Sequence, residues 1–159
     1  MKNTFEKSKE IFSEALNYLA QEDFVNAEKK LLESYNLTPD RISIASNLVQ
    51  IYIKLEDSIK LNNFLKKIYN FEDTFDFKIG LGFLKFFNKN YKDSLSICKD
   101  LKPNNLKQKV QAINLKIKNL DELNKYNDVI TLYKEILLLE KDNHINYYNF
   151  GTFYFILFS

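Results

Sequence analysis

Aromatic or large residues recur late in five apolar helical stripes, at Tyr18, Tyr52, Lys85, Leu120 and Tyr154, in steps of 34, 33, 35 and 34 residues. This recurrence limits the fold more than any other feature of the chain. A unit that short cannot bury its own apolar face and must stack on the next copy of itself. Three residues before each position lies a small or close-packing slot: Ala15, Val49, Gly82, Ile117 and Gly151. A second series, Ala27, Leu61, Ser94 and Val129, repeats at 34, 33 and 35 residues and marks where two helices of a pair should cross. Leu31, Leu65, Cys98 and Tyr133 follow it four residues on.

The spacing within each unit is helical. Ile11, Ala15, Tyr18 and Leu19 form one stripe, and Phe24, Ala27, Leu31 and Leu32 form the next, both at three- and four-residue intervals. Between them, Gln21-Glu22-Asp23 has the length and polarity of a helix-hairpin turn. Pro39 stops the second helix. With 3 glycines and 2 prolines in 159 residues, the chain lacks the turn residues of a β-sandwich or barrel. The pattern predicts an all-α chain of about nine helices, with hairpin turns near residues 21–23, 56–57, 88–90 and 124–127.

A helix–turn–helix unit with a period near 34 resembles the tetratricopeptide repeat. The residues that carry the resemblance are fullest in residues 8–41, where Ala15, Tyr18, Phe24, Ala27, Leu31 and Pro39 all occupy the expected slots. Residues 42–75 keep Leu48 and Tyr52 but place Leu61 in a slot usually small. Residues 75–108 keep Leu81-Gly82 and Asn90-Tyr91, with Lys85 in an aromatic slot. Residues 110–143 match through Tyr126, Val129, Tyr133 and Ile136, and residues 144–159 are similar to the first helix of a fifth repeat. The resemblance implies one array over residues 1–159, a right-handed α-solenoid whose concave face is made mainly from first helices. It further implies a non-catalytic scaffold or adaptor that binds a peptide or partner helix.

Composition narrows the chemistry. A formal net charge of +2, from 23 basic and 21 acidic residues, is too balanced for the electrostatic footprint of a nucleic-acid binder. All but one of the basic residues are lysine, Arg41 being the exception, and the abundance of lysine and asparagine fits A/T-rich codons. One cysteine, Cys98, and one histidine, His144, leave no disulfide and no usual zinc set, so no metal, cofactor or catalytic residue is expected. Cys98 lies in a helical stripe and reads as a buried structural thiol, and His144 as a residue at a helix start. The acidic pairs Glu72-Asp73 and Asp121-Glu122 read as solvated loops. The N-terminus has no apolar core of a signal peptide. The charge-free stretch at residues 145–159 is shorter than the ~20 residues a spanning helix needs. The expectation is a cytoplasmic protein with no membrane and no nucleic-acid partner.

Helical periodicity places Phe12 and Leu16 on the concave side of the first repeat, Gln50 on the second, Phe83, Phe86 and Phe87 on the third, and Asn114 on the fourth. Such a patch is either a peptide-binding surface or a face that a tightly curved array packs on itself. Some tetratricopeptide proteins clamp a peptide carboxylate with lysine, asparagine and arginine. Here Phe12 and Leu16 hold the matching slots, which disfavours that ligand. A second reading is an N-terminal recognition arm of a larger enzyme, because arrays that this one resembles are often fused in bacteria to glycosyltransferase or sulfotransferase domains. Residues 150–158 are apolar on every side of a helix, which leads to the expectation of a further helix beyond residue 159 or of a homodimer through this segment.

Overall fold

The structure, a computed structural model, describes residues 3–158, and those residues contain nine α-helices and no strand. They are α1 (Thr4–Ala20), α2 (Phe24–Leu37), α3 (Ile42–Lys54), α4 (Ser58–Lys67), α5 (Phe75–Phe87), α6 (Tyr91–Asp100), α7 (Leu106–Glu122), α8 (Tyr126–Leu139) and α9 (His144–Phe158). A short 3-10 turn, Tyr69–Phe71, follows α4. Pro39 and Pro103 lie in the longer connections that follow α2 and α6.

Each of the four tight turns is closed by the same backbone device. Glu22, Glu56, Lys89 and Asn124 adopt left-handed backbone, with φ of 56°, 53°, 60° and 56°, and they are the only non-glycine residues with positive φ among those described. The amide after each one donates back five residues: Asp23 to Tyr18 O at 3.0 Å, Asp57 to Tyr52 O at 3.0 Å, Asn90 to Lys85 O at 2.8 Å, and Lys125 to Leu120 O at 2.8 Å. The left-handed residue itself donates three residues back, to Leu19, Ile53, Phe86 and Asp121. This paired closure caps carbonyls that a helix end leaves without partners. Its acceptors, Tyr18, Tyr52, Lys85 and Leu120, are the positions whose recurrence defined the repeat in sequence. The next helix starts at once, with Asp23 and Asp57 accepting from the amides of Asn26 and Lys60 at 3.1 and 2.9 Å. Asn90 and Lys125 make no such side-chain cap.

Three turns fall where the spacing predicts them. The fourth comprises residues 123–125, not 124–127, because Tyr126 and Asn127 already belong to α8. Asp121 and Glu122, expected in a loop, form the end of α7. Several asparagines have structural work at helix starts: Asn3, Asn105 and Asn143 accept from the amides of Phe5, Gln108 and Ile145.

The chain divides into two compact units, one through Gly80 and one from Leu81, with the division inside α5. In the first unit α1 packs on α2, α2 on α3 and α3 on α4. Ala15, Ala27, Leu31, Leu48 and Leu61 are fully enclosed. The hydroxyl of Ser8 on α1 lies 2.9 Å from that of Ser34 on α2, and Ser34 Oγ donates to Ser8 O at 2.8 Å, both residues being sealed from solvent. Tyr52 is buried, edge-on to Phe64 at 5.8 Å. The Glu28 carboxylate, whose charge helps raise the Tyr52 phenol, takes Lys60 Nζ at 2.8 Å and so links α2 to α4. The backbone of Gly80 approaches α3 and α4 so closely that an added Cβ would lie 2.9 Å from Val49 Cγ1.

In the second unit α6 packs on α7, α7 on α8 and α8 on α9. A Cβ on Gly82 would meet Leu115 Cδ2 at 2.7 Å, and Gly82 O accepts from Ser94 Oγ at 2.8 Å, so this slot is close-packed as its spacing predicts. Asn119, fully buried, donates to Ser94 Oγ at 2.8 Å and to Leu115 O at 2.7 Å. Ile113, Ile117, Val129 and Ile136 form the adjoining core, to which Tyr133 and Phe153 contribute. Gly151 departs from the expectation. It is exposed, and a Cβ there would meet nothing within 4 Å.

Left-handed backbone costs a residue with a Cβ roughly 1–2 kcal/mol, part of which glycine returns as unfolded-state entropy. Glu22→Gly, Glu56→Gly and Lys89→Gly should therefore each stabilise the protein by about 0.5–1 kcal/mol in urea unfolding, and Asn124→Gly by less, since asparagine tolerates this conformation. Ala27→Leu should overpack its sealed site and destabilise by ~1–3 kcal/mol. Tyr52→Ala should cost ~3 kcal/mol or more. Unchanged melting in both of these core variants would contradict the packing described.

Candidate binding surfaces

The candidate residues fall in both units and meet different surroundings. In the first unit, Phe12 is half-buried and lies beneath a cation. The Arg41 guanidinium carbon stands 5.3 Å from the ring centroid of Phe12 and 5.3 Å from that of Phe5. Phe5 and Phe12 are seven residues apart on α1, about 10.5 Å along its axis, so the arginine sits between them. Arg41 Nη1 is buried with no hydrogen-bond partner, and the aromatic faces supply the electrostatic contact it has. Leu16, one turn beyond Phe12, is exposed. Gln50 donates through Nε2 to Asp76 Oδ1 at 3.3 Å, which ties its amide to the start of α5. Lys54, at the end of α3, lies 5.9 Å from the Phe24 ring centroid.

In the second unit, Phe83 is 6% exposed and is a core residue, which removes it as a surface anchor. The reason is local: α5 reads FDFKIGLGFLKFF, apolar on nearly every side, so periodicity alone cannot say which side faces solvent. Phe86 and Phe87 are half-buried and in contact at 6.0 Å between centroids. Phe86 also meets Tyr91 at 5.7 Å and carries Lys118 Nζ 5.7 Å above its ring. Asn114 is exposed on α7. Beside this cluster a cleft of about 300 Å³ is lined by Lys89, Asn90, Tyr91, Lys92, Asp93 and Leu123. Tyr91 Oη donates to Glu122 Oε2 at 3.0 Å, which raises the phenol above its ordinary value.

Both surfaces present the same chemistry, an aromatic ring with a cation over it and an exposed neighbour. That arrangement suits apolar and acidic side chains of a protein ligand. Phe5 and Arg41 were absent from the sequence-derived set, although Arg41 as the sole arginine and the seven-residue interval from Phe5 to Phe12 were both readable. No group of three or more His, Cys, Asp or Glu side chains placed to hold a metal ion occurs among the described residues. His144 is exposed at the start of α9. No helix among the described residues is long and apolar enough to cross a membrane. No protein-family model matches the chain, and no curated protein matches it.

Cys98 is enclosed, and burial pushes its thiol up to about 11, against a smaller opposing effect of Lys116. The thiolate is the reactive form. Folded protein at pH 8 should therefore react with a thiol-specific reagent at a small fraction of the rate measured in denaturant, with the difference vanishing once the chain unfolds. Equal rates in the two states would contradict the burial.

Proposed function

We propose that this chain is a tetratricopeptide-like helical-repeat protein, its hairpins stacked as a right-handed solenoid. It works as a non-catalytic interaction module in the cytoplasm, binding a peptide or partner helix. The observation that carries this reading is the one hairpin closure repeated four times, at Glu22, Glu56, Lys89 and Asn124, in steps of 34, 33 and 35 residues. Helix contacts between neighbours in the chain support it further, since a repeat array is held together that way. Recognition falls to the first helices and to the residue before α3: Phe5, Phe12, Leu16 and Arg41 in one unit, and Phe86, Phe87, Asn114 and Lys118 in the other. Aromatic residues and arginine are the side chains that most often dominate binding energy in such interfaces.

The test starts from a partner recovered by cross-linking in the native host and then purified. Its affinity is measured by calorimetry for wild type, Leu16→Asp and Lys118→Glu, with thermal melting as the folding control. Both positions are exposed, so melting should be preserved. At least one of the two substitutions should weaken binding tenfold or more, equivalent to about 1.4 kcal/mol. Unchanged affinity in both variants would refute the assignment of these faces.

A further inference from the structure

Helix α9 touches α8 along one stripe only. Asn146, Phe150, Phe153 and Leu157 are its buried or half-buried residues, and Tyr133 of α8 lies 5.5 and 5.6 Å from the rings of Phe150 and Phe153. The exposed side of α9 runs from Tyr154 round to Asn149 and includes Ile145 and Ile156, and the part of it nearer the stripe is centred on Gly151. Three and four residues before it stand Tyr148 and Tyr147, and three and four after it stand Tyr154 and Phe155. Seven residues to either side stand His144 and Phe158. All seven are exposed, Tyr148 by 73% and Phe155 by 72%. At 3.6 residues per turn these positions span a sector of about 120°.

We propose that this face pairs with the same face of a second copy of the chain, α9 antiparallel to α9 about a two-fold axis through Gly151. The argument is the symmetry of the pattern. An antiparallel two-fold operator sets position −4 against +4 and −3 against +3, and here every such match sets one aromatic ring against another. Isologous interfaces demand this self-complementarity. At the axis the pattern places its one residue without a side chain, where two helices must approach most closely, and a Cβ there meets nothing within the single chain. No formal charge occurs between Ile145 and Phe158, so the operator brings no like charges together. The area suffices as well. With ~200 Å² for a fully exposed Tyr or Phe side chain, the five rings expose on the order of 600 Å² per copy, about 1,200 Å² for the pair, which reaches the range of specific interfaces. The pairing is independent of what the array recognises elsewhere.

Sedimentation equilibrium on the 159-residue chain tests the proposal, alongside Gly151→Gln, Gly151→Cys and Thr152→Cys. Wild type should be a dimer at micromolar concentrations. Gly151→Gln should keep its helical circular dichroism, since the monomer has room for the side chain. It should raise the dissociation constant by about 100-fold or more, because each dimer would have to fit two long side chains where its helices approach most closely. Gly151→Cys should cross-link under mild oxidation, its two copies facing across the axis, while Thr152→Cys, more than a quarter of a turn around the helix, should not. A monomeric wild type, whose α9 face would then serve another helix, overturns the proposal. So does a dimer that Gly151→Gln leaves intact, or equal cross-linking at positions 151 and 152.

Discussion

A helix hairpin holds together only if the chain can leave its first helix, reverse within three residues and start the second without stranding backbone groups. This protein solves that problem four times with one left-handed residue and a pair of backward hydrogen bonds. The closure fixes where each second helix begins, and therefore which of its residues faces the first. Val129, Ser94, Leu61 and Ala27 each lie five residues after a left-handed position, and all four are sealed at the helix crossing. Their sizes differ widely, from Ala27 to Leu61, yet the crossing is kept. The constraint is thus set by the backbone at the turn, and the side chains at the crossing adapt to it.

Aromatic residues divide into three groups under this constraint. Some fill gaps between hairpins, as Tyr35 of α2 and Phe64 of α4 do with their edge-on contact at 5.3 Å. Others remain half-covered beneath cations, as Phe12 does under Arg41 and Phe86 under Lys118. A third group, on α9, stands open to solvent. The second group combines apolar area with a positive charge held in place. The contact is weak in water and gains strength when a partner excludes the water.

The fold was legible in the sequence because its strongest signal, the recurrence near 34 residues, arises from backbone geometry that recurs at the same interval. Legibility failed where a helix is apolar all round. For α5, no stripe stands out, and the helical period turns Phe83 outward where the fold buries it in the core. The fourth turn falls earlier than the sequence suggests because asparagine is common at turns, and of Asn124 and Asn127 only the first has turn geometry. The recurrence puts Gly151 in the same close-packing slot as Gly82, but the neighbour that Leu115 provides to Gly82 has no counterpart beside Gly151. At the candidate surfaces, residue type is legible in the sequence and burial is not. Arg41 stood out as the lone arginine, but only the fold shows that Phe5 and Phe12 flank it.

The trio of Tyr52, Glu28 and Lys60 sets an alkaline limit on the first unit. Burial first, and the Glu28 carboxylate second, hold the Tyr52 phenol far above its ordinary value, while the same carboxylate raises Lys60. Because the folded value lies above the unfolded one, the stabilising contribution of Tyr52 is complete below about pH 10, the ordinary value for tyrosine, and drains away as the solution becomes more basic. Ionised phenolate beside ionised carboxylate would place two negative charges together in an enclosed site, with the loss of the Lys60 proton removing the one cation that offsets them. In the first unit, base therefore acts at a buried phenol where α2, α3 and α4 adjoin.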